Sequence, residues 1–269
     1  MRIVKNVLLV LIVSLSCSQC QTVPVTGRKQ LSLVSNGEIL PLAASQYQQV
    51  LKESKLATNQ EQTQMIKRVG TRIQKAVEAY MAEIGASDQL QGFEWEFSLI
   101  EDDKTVNAWA MPGGKVAFYT GILPICKDEK GVAVVMGHEV AHAIANHGRE
   151  RMSQGLALNF GLGSISAAMG QNPTTTQQLL LQSIGAGSQL GVLKFSRTHE
   201  SEADKIGLIF MAIAGYDPSE APKFWSRMRE LSGGSQPPEF MSTHPSHETR
   251  IRDLESQIPG AMEYYRKYN

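Results

Sequence analysis

The residues with the clearest capacity for chemistry are two histidines and a glutamate in the segment His-Glu-Val-Ala-His, at His138, Glu139 and His142. Residues four positions apart on an α-helix differ by only about 40° in direction, so both imidazoles project from one face and can bind one metal ion. Glu139 is rotated away from that pair and is expected to reach a water molecule beside the metal. The spacing predicts a zinc site with His138 and His142 as ligands and Glu139 as general base.

A hydrolytic zinc site needs a third protein ligand and one open position. His147 follows the second ligand by five residues, about 140° further round a continuous helix, so it is expected to point elsewhere. We predict that Glu200 is the third ligand and that Asp204, on the same helical face, accepts the free N–H of a ligating histidine. His199 is an alternative third ligand, and Glu202 is interpreted as a solvated acid on the opposite side.

Apolar residues at helical spacing predict the elements that carry these side chains. The zinc motif lies in a predicted helix from about Lys130 to Leu158. Other predicted helices are one or two between Leu42 and Ile84, one from Thr175 to Phe210 and one from Ser219 to Leu231.

Strand signals are confined to the segment before the zinc motif. Phe93 to Ile100 alternates aromatic and polar residues, which predicts a strand. Thr105 to Met111 and Lys115 to Thr120 flank Pro112-Gly113-Gly114, which predicts a β-hairpin. The sequence therefore predicts a predominantly α-helical α+β fold, with a small sheet beside the active-site helix.

The overall composition is that of an ordinary globular protein. The chain has 269 residues, of which 42% are hydrophobic and 19% charged, and its formal net charge is zero. One main domain is expected, and the absence of a basic excess argues against nucleic acid as a partner.

The N-terminus resembles an export signal. Arg2 and Lys5 precede the apolar run from Val7 to Leu15, which is too short for a bilayer span of about 20 residues, although an uncleaved short anchor is an alternative. We predict a signal peptide over residues 1–20, a polar, extended tether over 21–41 that lies on the domain, and a zinc peptidase domain over 42–269.

The end of the apolar run resembles the cleavage box of bacterial lipoproteins. Ser16 precedes Cys17, which is the predicted lipidated residue, and Cys20 is the alternative. This predicts an N-terminal lipid anchor to a membrane. The remaining cysteine, Cys126, is interpreted as a buried residue.

Several motifs together are similar to those of a known family. The His-Glu-x-x-His segment and the Ser-Arg-x-x-Glu-x-x-Ala-Asp segment from Ser196 to Asp204 form the double signature of metallopeptidase family 48. Further similarities are Asn107-Ala-Trp-Ala110 with Gly113-Gly114, Ala214-Gly-Tyr-Asp-Pro218, and Ser242-Thr-His-Pro245 with Arg250. These gluzincins include HtpX, the Ste-type prenyl (CAAX) proteases, the mitochondrial Oma-type proteases and the periplasmic proteins BepA and LoiP.

The resemblance implies roles for residues outside the zinc helix. It places His244 near the zinc, either as a hydrogen-bond donor to the developing oxyanion or as an inhibitory ligand in the open position. Asn107 is a candidate second donor, and Arg250 is assigned to the residues that support the ligands. The strand from Val106 to Met111 is expected to offer an edge to which a substrate adds as an antiparallel strand.

Within the family, the chain is most similar to the exported, lipoprotein-like group of BepA, LoiP and the Oma-type proteases. This implies a metalloendopeptidase that cleaves unfolded or misassembled envelope proteins, located in the bacterial periplasm and anchored by lipid to a membrane, for which we predict the outer membrane. The alternative is an envelope chaperone or assembly lipoprotein with latent protease activity. A membrane-embedded prenyl-protein protease is disfavoured, because the sequence lacks the several membrane helices of those enzymes.

Overall fold

The computed structural model describes residues 20–160, 165–184, 195–231, 238–244 and 249–269. These residues are mainly helical, as predicted. The helices are α1 (Asn36–Glu53), α2 (Gln60–Glu83), α3 (Leu123–Cys126), α4 (Glu129–Ile144), α5 (His147–Phe160), α6 (Ile165–Gln171), α7 (Pro173–Ile184), α8 (Arg197–Ile213), α9 (Glu220–Leu231), α10 (Glu239–Thr243) and α11 (Arg250–Tyr268). No helix within the described ranges has the length and apolar character needed to cross a membrane.

Two small sheets accompany the helices. The strands are β1 (Cys20–Thr22), β2 (Lys29–Leu31), β3 (Glu96–Ile100), β4 (Ala108–Met111) and β5 (Lys115–Tyr119). The second sheet has the order β3-β5-β4, with β3 parallel and β4 antiparallel to β5. The predicted strand and hairpin are confirmed, and the hairpin turns at Gly113 and Gly114, whose positive φ angles of 87° and 81° favour glycine.

Helix α4 forms the centre of the core. Its first turn is capped by Asp128, whose side chain accepts hydrogen bonds from the backbone N–H groups of Lys130 and Gly131. Every residue from Gly131 to Ile144 is buried. A helix that is apolar all round is expected to be surrounded by other elements, and here the three-stranded sheet, α2 and α8 pack around it. The polar residues of the zinc motif are therefore held inside the core.

The prediction of a single helix from Lys130 to Leu158 is wrong, because two helices occupy this segment. Helix α4 ends at Ile144 and α5 begins at His147. Asn146 between them has a φ of 58°, a left-handed conformation that asparagine tolerates better than most residues and that ends helices. The periodicity of the apolar residues continues across this break, so it did not reveal the change of direction.

The single helix predicted from Thr175 to Phe210 is also wrong. Helix α7 ends at Ile184, and α8 begins at Arg197 after a segment that includes residues outside the described ranges. Ser196 caps α8, since its side chain accepts a hydrogen bond from the backbone N–H of His199. The predicted helices between Leu42 and Ile84 correspond to α1 and α2.

Regular structure replaces much of the predicted tether over residues 21–41. Strands β1 and β2 form an antiparallel hairpin, and α1 begins at Asn36. The hairpin contacts α5 through a hydrogen bond of Arg149 with Gln21, and the chain after it contacts α5 through Leu33, whose N–H donates to Ser153 Oγ over 3.0 Å. The predicted domain boundary at residue 42 stays a prediction, but the segment before it packs on the domain.

Two glycines allow α4 and α8 to approach closely. A Cβ atom on Gly137 would lie 2.9 Å from the carbonyl oxygen of Gly207, and one on Gly207 would lie 3.0 Å from the carbonyl carbon of Gly137. Both distances are shorter than carbon contacts normally allow. The crossing point is next to His138 on α4 and one turn from Asp204 on α8, so the glycine contact brings the zinc motif against the acidic residues of α8.

We expect Gly137→Ala to destabilise the protein, because the added methyl group forces α4 and α8 apart. Overpacking of this kind costs about 1–3 kcal/mol, measurable as a fall in the free energy of unfolding in urea. Gly170→Ala in α6 is the matched control, since nothing lies within 4 Å of its Cβ position. Alanine there should leave stability unchanged or increase it. Equal stabilities of the two variants would contradict the close contact.

Candidate metal centre and active site

Four buried side chains converge between α4, α8 and the end of α10. His138, His142, Glu200 and His244 each offer one ligand atom, and these atoms lie within 4.8 Å of one another. Helix α4 supplies the first two, α8 supplies Glu200, and His244 directly follows α10. Sequence reasoning predicted the first three as ligands, and the resemblance placed His244 beside them.

The separations fit one tetrahedral zinc ion. His142 Nε2 lies 3.1 Å from His138 Nε2 and 3.4 Å from Glu200 Oε1. His244 Nδ1 lies 3.0 Å from Glu200 Oε1. Zinc bonds of about 2.0–2.1 Å place tetrahedral ligand atoms about 3.3 Å apart. Two imidazoles and one carboxylate are also the donor set of a hydrolytic zinc site.

Asp204 orients the first histidine ligand. Its Oδ1 lies 3.0 Å from His138 Nδ1, which leaves His138 Nε2 directed at the cluster. Burial by itself lowers the pKa of His138, but hydrogen bonds to Asp204 and Glu200 outweigh it and raise this pKa to about 9. Because a ligand nitrogen must be unprotonated, zinc binding displaces a proton from this site. The position of Asp204 agrees with its predicted role.

Arg250 links the two acidic residues of α8. Its Nη1 donates to Glu200 Oε2 over 2.7 Å, and its Nη2 donates to Asp204 Oδ1 over 2.6 Å. The guanidinium carbon lies 3.3 Å from the ring centre of Trp225, on which it stacks. Burial favours protonation of Glu200, but His244, Arg250 and the histidine ligands hold its pKa well below the ordinary value. The third ligand is therefore an ionised carboxylate.

Glu139 faces the same cluster from α4. It is fully buried, and this burial raises the pKa of its carboxyl above the ordinary value, which suits a general base near neutral pH. Its Oε1 lies 3.4 Å from His244 Nε2, and neither atom has a hydrogen-bond partner among the described residues. Buried polar atoms without partners are costly, and such atoms are expected where a reacting group binds.

Asn107 contacts Glu239 and the backbone of Ala108. Its side-chain amide donates to Glu239 Oε1 over 3.2 Å, and its Oδ1 accepts from the backbone N–H of Ala108. Asn107 therefore joins the start of β4 to α10, the helix that leads to His244. Its role as an oxyanion donor stays a prediction.

Two interpretations of α8 change with the structure. His199 lies with its Nε2 3.1 Å from Glu150 Oε2 and is outside the metal cluster, so the structure favours Glu200 over this alternative ligand. Glu202 is not a solvated acid, because it is buried and contacts His147, Arg28 and Thr26. Contacts with the N-terminal hairpin and α5 cover the side of α8 that was expected to face water.

His147 lies outside the cluster of ligand atoms, in line with the prediction that it is not a ligand, but its ring contacts His142 from the outer side. Its Nδ1 lies 2.9 Å from His142 Nδ1, because the break at Asn146 returns the chain toward α4. Burial lowers the pKa of His147 to about 4, so this ring is neutral. Burial favours protonation of Glu202, but hydrogen bonds from His147, Thr26 and Arg28 lower its pKa to about 2.

Comparison with known proteins agrees with this geometry. The model of Peptidase family M48 matches residues 67–258. The chain belongs to this family. It is a zinc metalloendopeptidase with a mostly helical, zincin-like domain, and His138, His142 and Glu200 form a compact site that could hold the metal.

Several individual relatives align with most of this chain. The chain is 35% identical to the mitochondrial metalloendopeptidase OMA1 of Schizosaccharomyces pombe, and the alignment covers 89% of this chain and 67% of the relative. It is 30% identical to the human mitochondrial metalloendopeptidase OMA1, of which it spans 46%. It is 27% identical to the beta-barrel assembly-enhancing protease of Escherichia coli, of which it spans 52%.

These relatives contradict the predicted location. We expected a lipid-anchored protein of the bacterial periplasm and outer membrane, but the relatives at 30–35% identity are mitochondrial enzymes. A basic start followed by a short apolar run indicates a targeting segment without specifying the compartment. Residues 1–19 of the predicted signal segment, including Cys17, lie outside the described residues, and the side chain of Cys20 is not described.

We expect Glu200→Gln and His142→Ala to lose zinc, because each removes one of the ligands on which a three-ligand site depends. Wild-type peptidase should hold about one zinc ion per chain by elemental analysis after dialysis. Glu230→Gln, at an exposed position of α9, is the control and should hold the same amount as wild type. Full zinc content in Glu200→Gln would exclude Glu200 as a ligand.

Proposed function

We propose that the peptidase hydrolyses peptide bonds within unfolded or misassembled protein chains. The observation that carries this proposal is a cleft between β4 and α4, lined by Ala110 and Pro112 on one side and by Glu139 and His142 on the other. An extended chain whose backbone lies along β4 would bring a peptide bond beside Glu139 and His142, which line the other side of the cleft.

The strand order supports the same class of substrate. β4 is the outer strand of the β3-β5-β4 sheet, so one of its edges is not paired within that sheet. A peptide that adds to a sheet edge contributes its own backbone N–H and C=O groups. In folded proteins those groups are already paired, so this mode of binding selects unfolded or extended segments. The strand is the one that the sequence predicted from Val106 to Met111.

The side chains around the cluster have distinct proposed roles in hydrolysis. Zinc, when bound, supplies a Lewis acid that polarises the scissile carbonyl and activates water. Glu139 takes the proton of the attacking water and gives it to the leaving amine. Arg250 and Asp204 keep Glu200 and His138 in place while charge develops in the site. The name of the E. coli relative, beta-barrel assembly-enhancing protease, supports substrates that are in the course of assembly.

We expect Glu139→Gln to bind an unfolded protein but not to cleave it. The amide cannot accept the proton of water, and loss of a general base costs about a hundredfold to ten-thousandfold in rate. Cleavage and binding are measured with a fluorescently labelled, permanently unfolded protein, and zinc content is measured in the same samples. Glu61→Gln, at an exposed position of α2, is the control and should cleave like wild type. Full cleavage by Glu139→Gln would contradict the role of Glu139.

The alternative function, a chaperone or assembly protein with latent protease activity, has one specific observation in its favour. His244 Nδ1 lies 3.2 Å from His138 Nε2 and within the same cluster of four donors. Four protein ligands close a tetrahedral zinc site, whereas hydrolysis needs one open position. The geometry therefore supports an inhibitory role for His244, with Asn107 left as the candidate oxyanion donor.

We expect His244→Ala to retain zinc and to cleave the unfolded protein faster than wild type, because the substitution opens the fourth position. Initial cleavage rates and zinc content are measured together. A fall in rate of about a hundredfold to a thousandfold with zinc retained would instead identify His244 as an oxyanion donor. A wild-type protein that binds the unfolded chain without cleaving it, together with an inactive His244→Ala, would favour the chaperone function.

A further inference from the structure

The two histidine ligands have different outer partners: His138 contacts Asp204, whereas His142 contacts another histidine, His147. His142 Nε2 faces the metal cluster, and its Nδ1 lies 2.9 Å from His147 Nδ1. A neutral imidazole that binds a metal through Nε2 carries its proton on Nδ1. His142 therefore donates this proton to His147 Nδ1, which must be the acceptor.

That arrangement fixes the state of the next group. With Nδ1 accepting, His147 carries its own proton on Nε2, which lies 2.8 Å from Glu202 Oε2. His147 is fully buried and Glu202 is 7% exposed, so water does not replace either contact freely. The hydrogen bonds thus have one direction, from the ligand through His147 to a carboxylate.

The N-terminal hairpin holds the far end of this chain of hydrogen bonds. Arg28 Nε donates to Glu202 Oε2 over 2.7 Å, and Thr26 Oγ1 donates to Glu202 Oε1. The turn that presents them is tight, since Gly27 has a φ of 73° and donates its N–H to the carbonyl of Val23. Val23 itself is buried in the main core, which fixes the hairpin against the domain.

We propose that His147, Glu202 and Arg28 form a positioning relay for the zinc ligand His142, and that the hairpin from residue 20 to residue 31 is part of the metal centre. The relay does for His142 what Asp204 does directly for His138: it fixes the tautomer and direction of the ring. This inference depends on the zinc site and is independent of the substrate class proposed above. None of the three residues touches zinc or substrate, so each acts through His142.

The relay predicts a loss of zinc affinity at positions remote from the ion. Removing an outer partner of a metal-binding histidine typically lowers metal affinity about 10- to 100-fold. We expect this loss in His147→Phe, which keeps an aromatic ring but can neither accept nor donate. Glu202→Gln, which keeps the shape of the side chain and removes its charge, should lose less. Arg28→Met should weaken zinc binding although it lies two hydrogen-bonded residues from His142.

A matched control separates the relay from general packing. Glu150 is also buried, and it also contacts Arg28, over 2.9 Å, but it pairs with His199 and not with His147. Glu150→Gln therefore perturbs the same arginine while the relay stays complete. His147→Gln is the conservative variant, because its amide offers both an acceptor and a donor and should restore part of the affinity that His147→Phe loses.

The zinc dissociation constant of the full chain is measured by competition with a chelator. The visible absorption spectrum of the cobalt-substituted protein is recorded as well, because it depends on the geometry of the ligands. Lower affinity and an altered spectrum in His147→Phe and Glu202→Gln, with Glu150→Gln like wild type, support the relay. Unchanged affinity in the two relay variants overturns it, and so does an equal loss in Glu150→Gln. Glu202→Gln keeps the test decisive if His147→Phe does not fold.

Discussion

The structure depends on how a set of ionised groups is accommodated inside an apolar core. Glu200 and Asp204 are buried among α4, α8 and α11, where an unpaired charge is very costly. One buried guanidinium, that of Arg250, contacts both carboxylates and lies on Trp225. The carboxylates belong to α8, Trp225 to α9 and Arg250 to α11, so these contacts determine how the three helices pack together. This pairing helps to position the zinc ligands on α4 and α8.

The supporting contacts come from both ends of the described chain. The C-terminal helix supplies Arg250 at its first residue, and the N-terminal hairpin supplies Arg28. Arg250 binds Asp204, which contacts the ligand His138 directly. Arg28 binds Glu202, which is connected to the ligand His142 through His147. Helix α4, which carries the zinc motif, is thus fixed from two sides, while the cleft lies on its side toward β4.

Membership of Peptidase family M48 was accessible from short segments, because the zinc motif and the signature around Glu200 are local in sequence. The residues alone left His199 and Glu200 as competing ligands, and the structure distinguishes them by the direction of each side chain on α8. The cellular location was predicted incorrectly, since a short targeting segment says little about the compartment. Relatives at 30–36% identity are mitochondrial enzymes, which contradicts the predicted periplasmic location.

The sequence by itself determined the features that depend on local periodicity: the two histidines on one face of α4, the acidic pair on α8, and the glycine turn between β4 and β5. Only the tertiary structure decided what surrounds them. His147 reaches His142 because Asn146 adopts a left-handed conformation that ends α4, and the apolar pattern does not register this break. Glu202 is buried because a hairpin more than 170 residues earlier in the chain packs over it. Such contacts join residues that are distant in sequence, and helical or strand periodicity carries information only about neighbours.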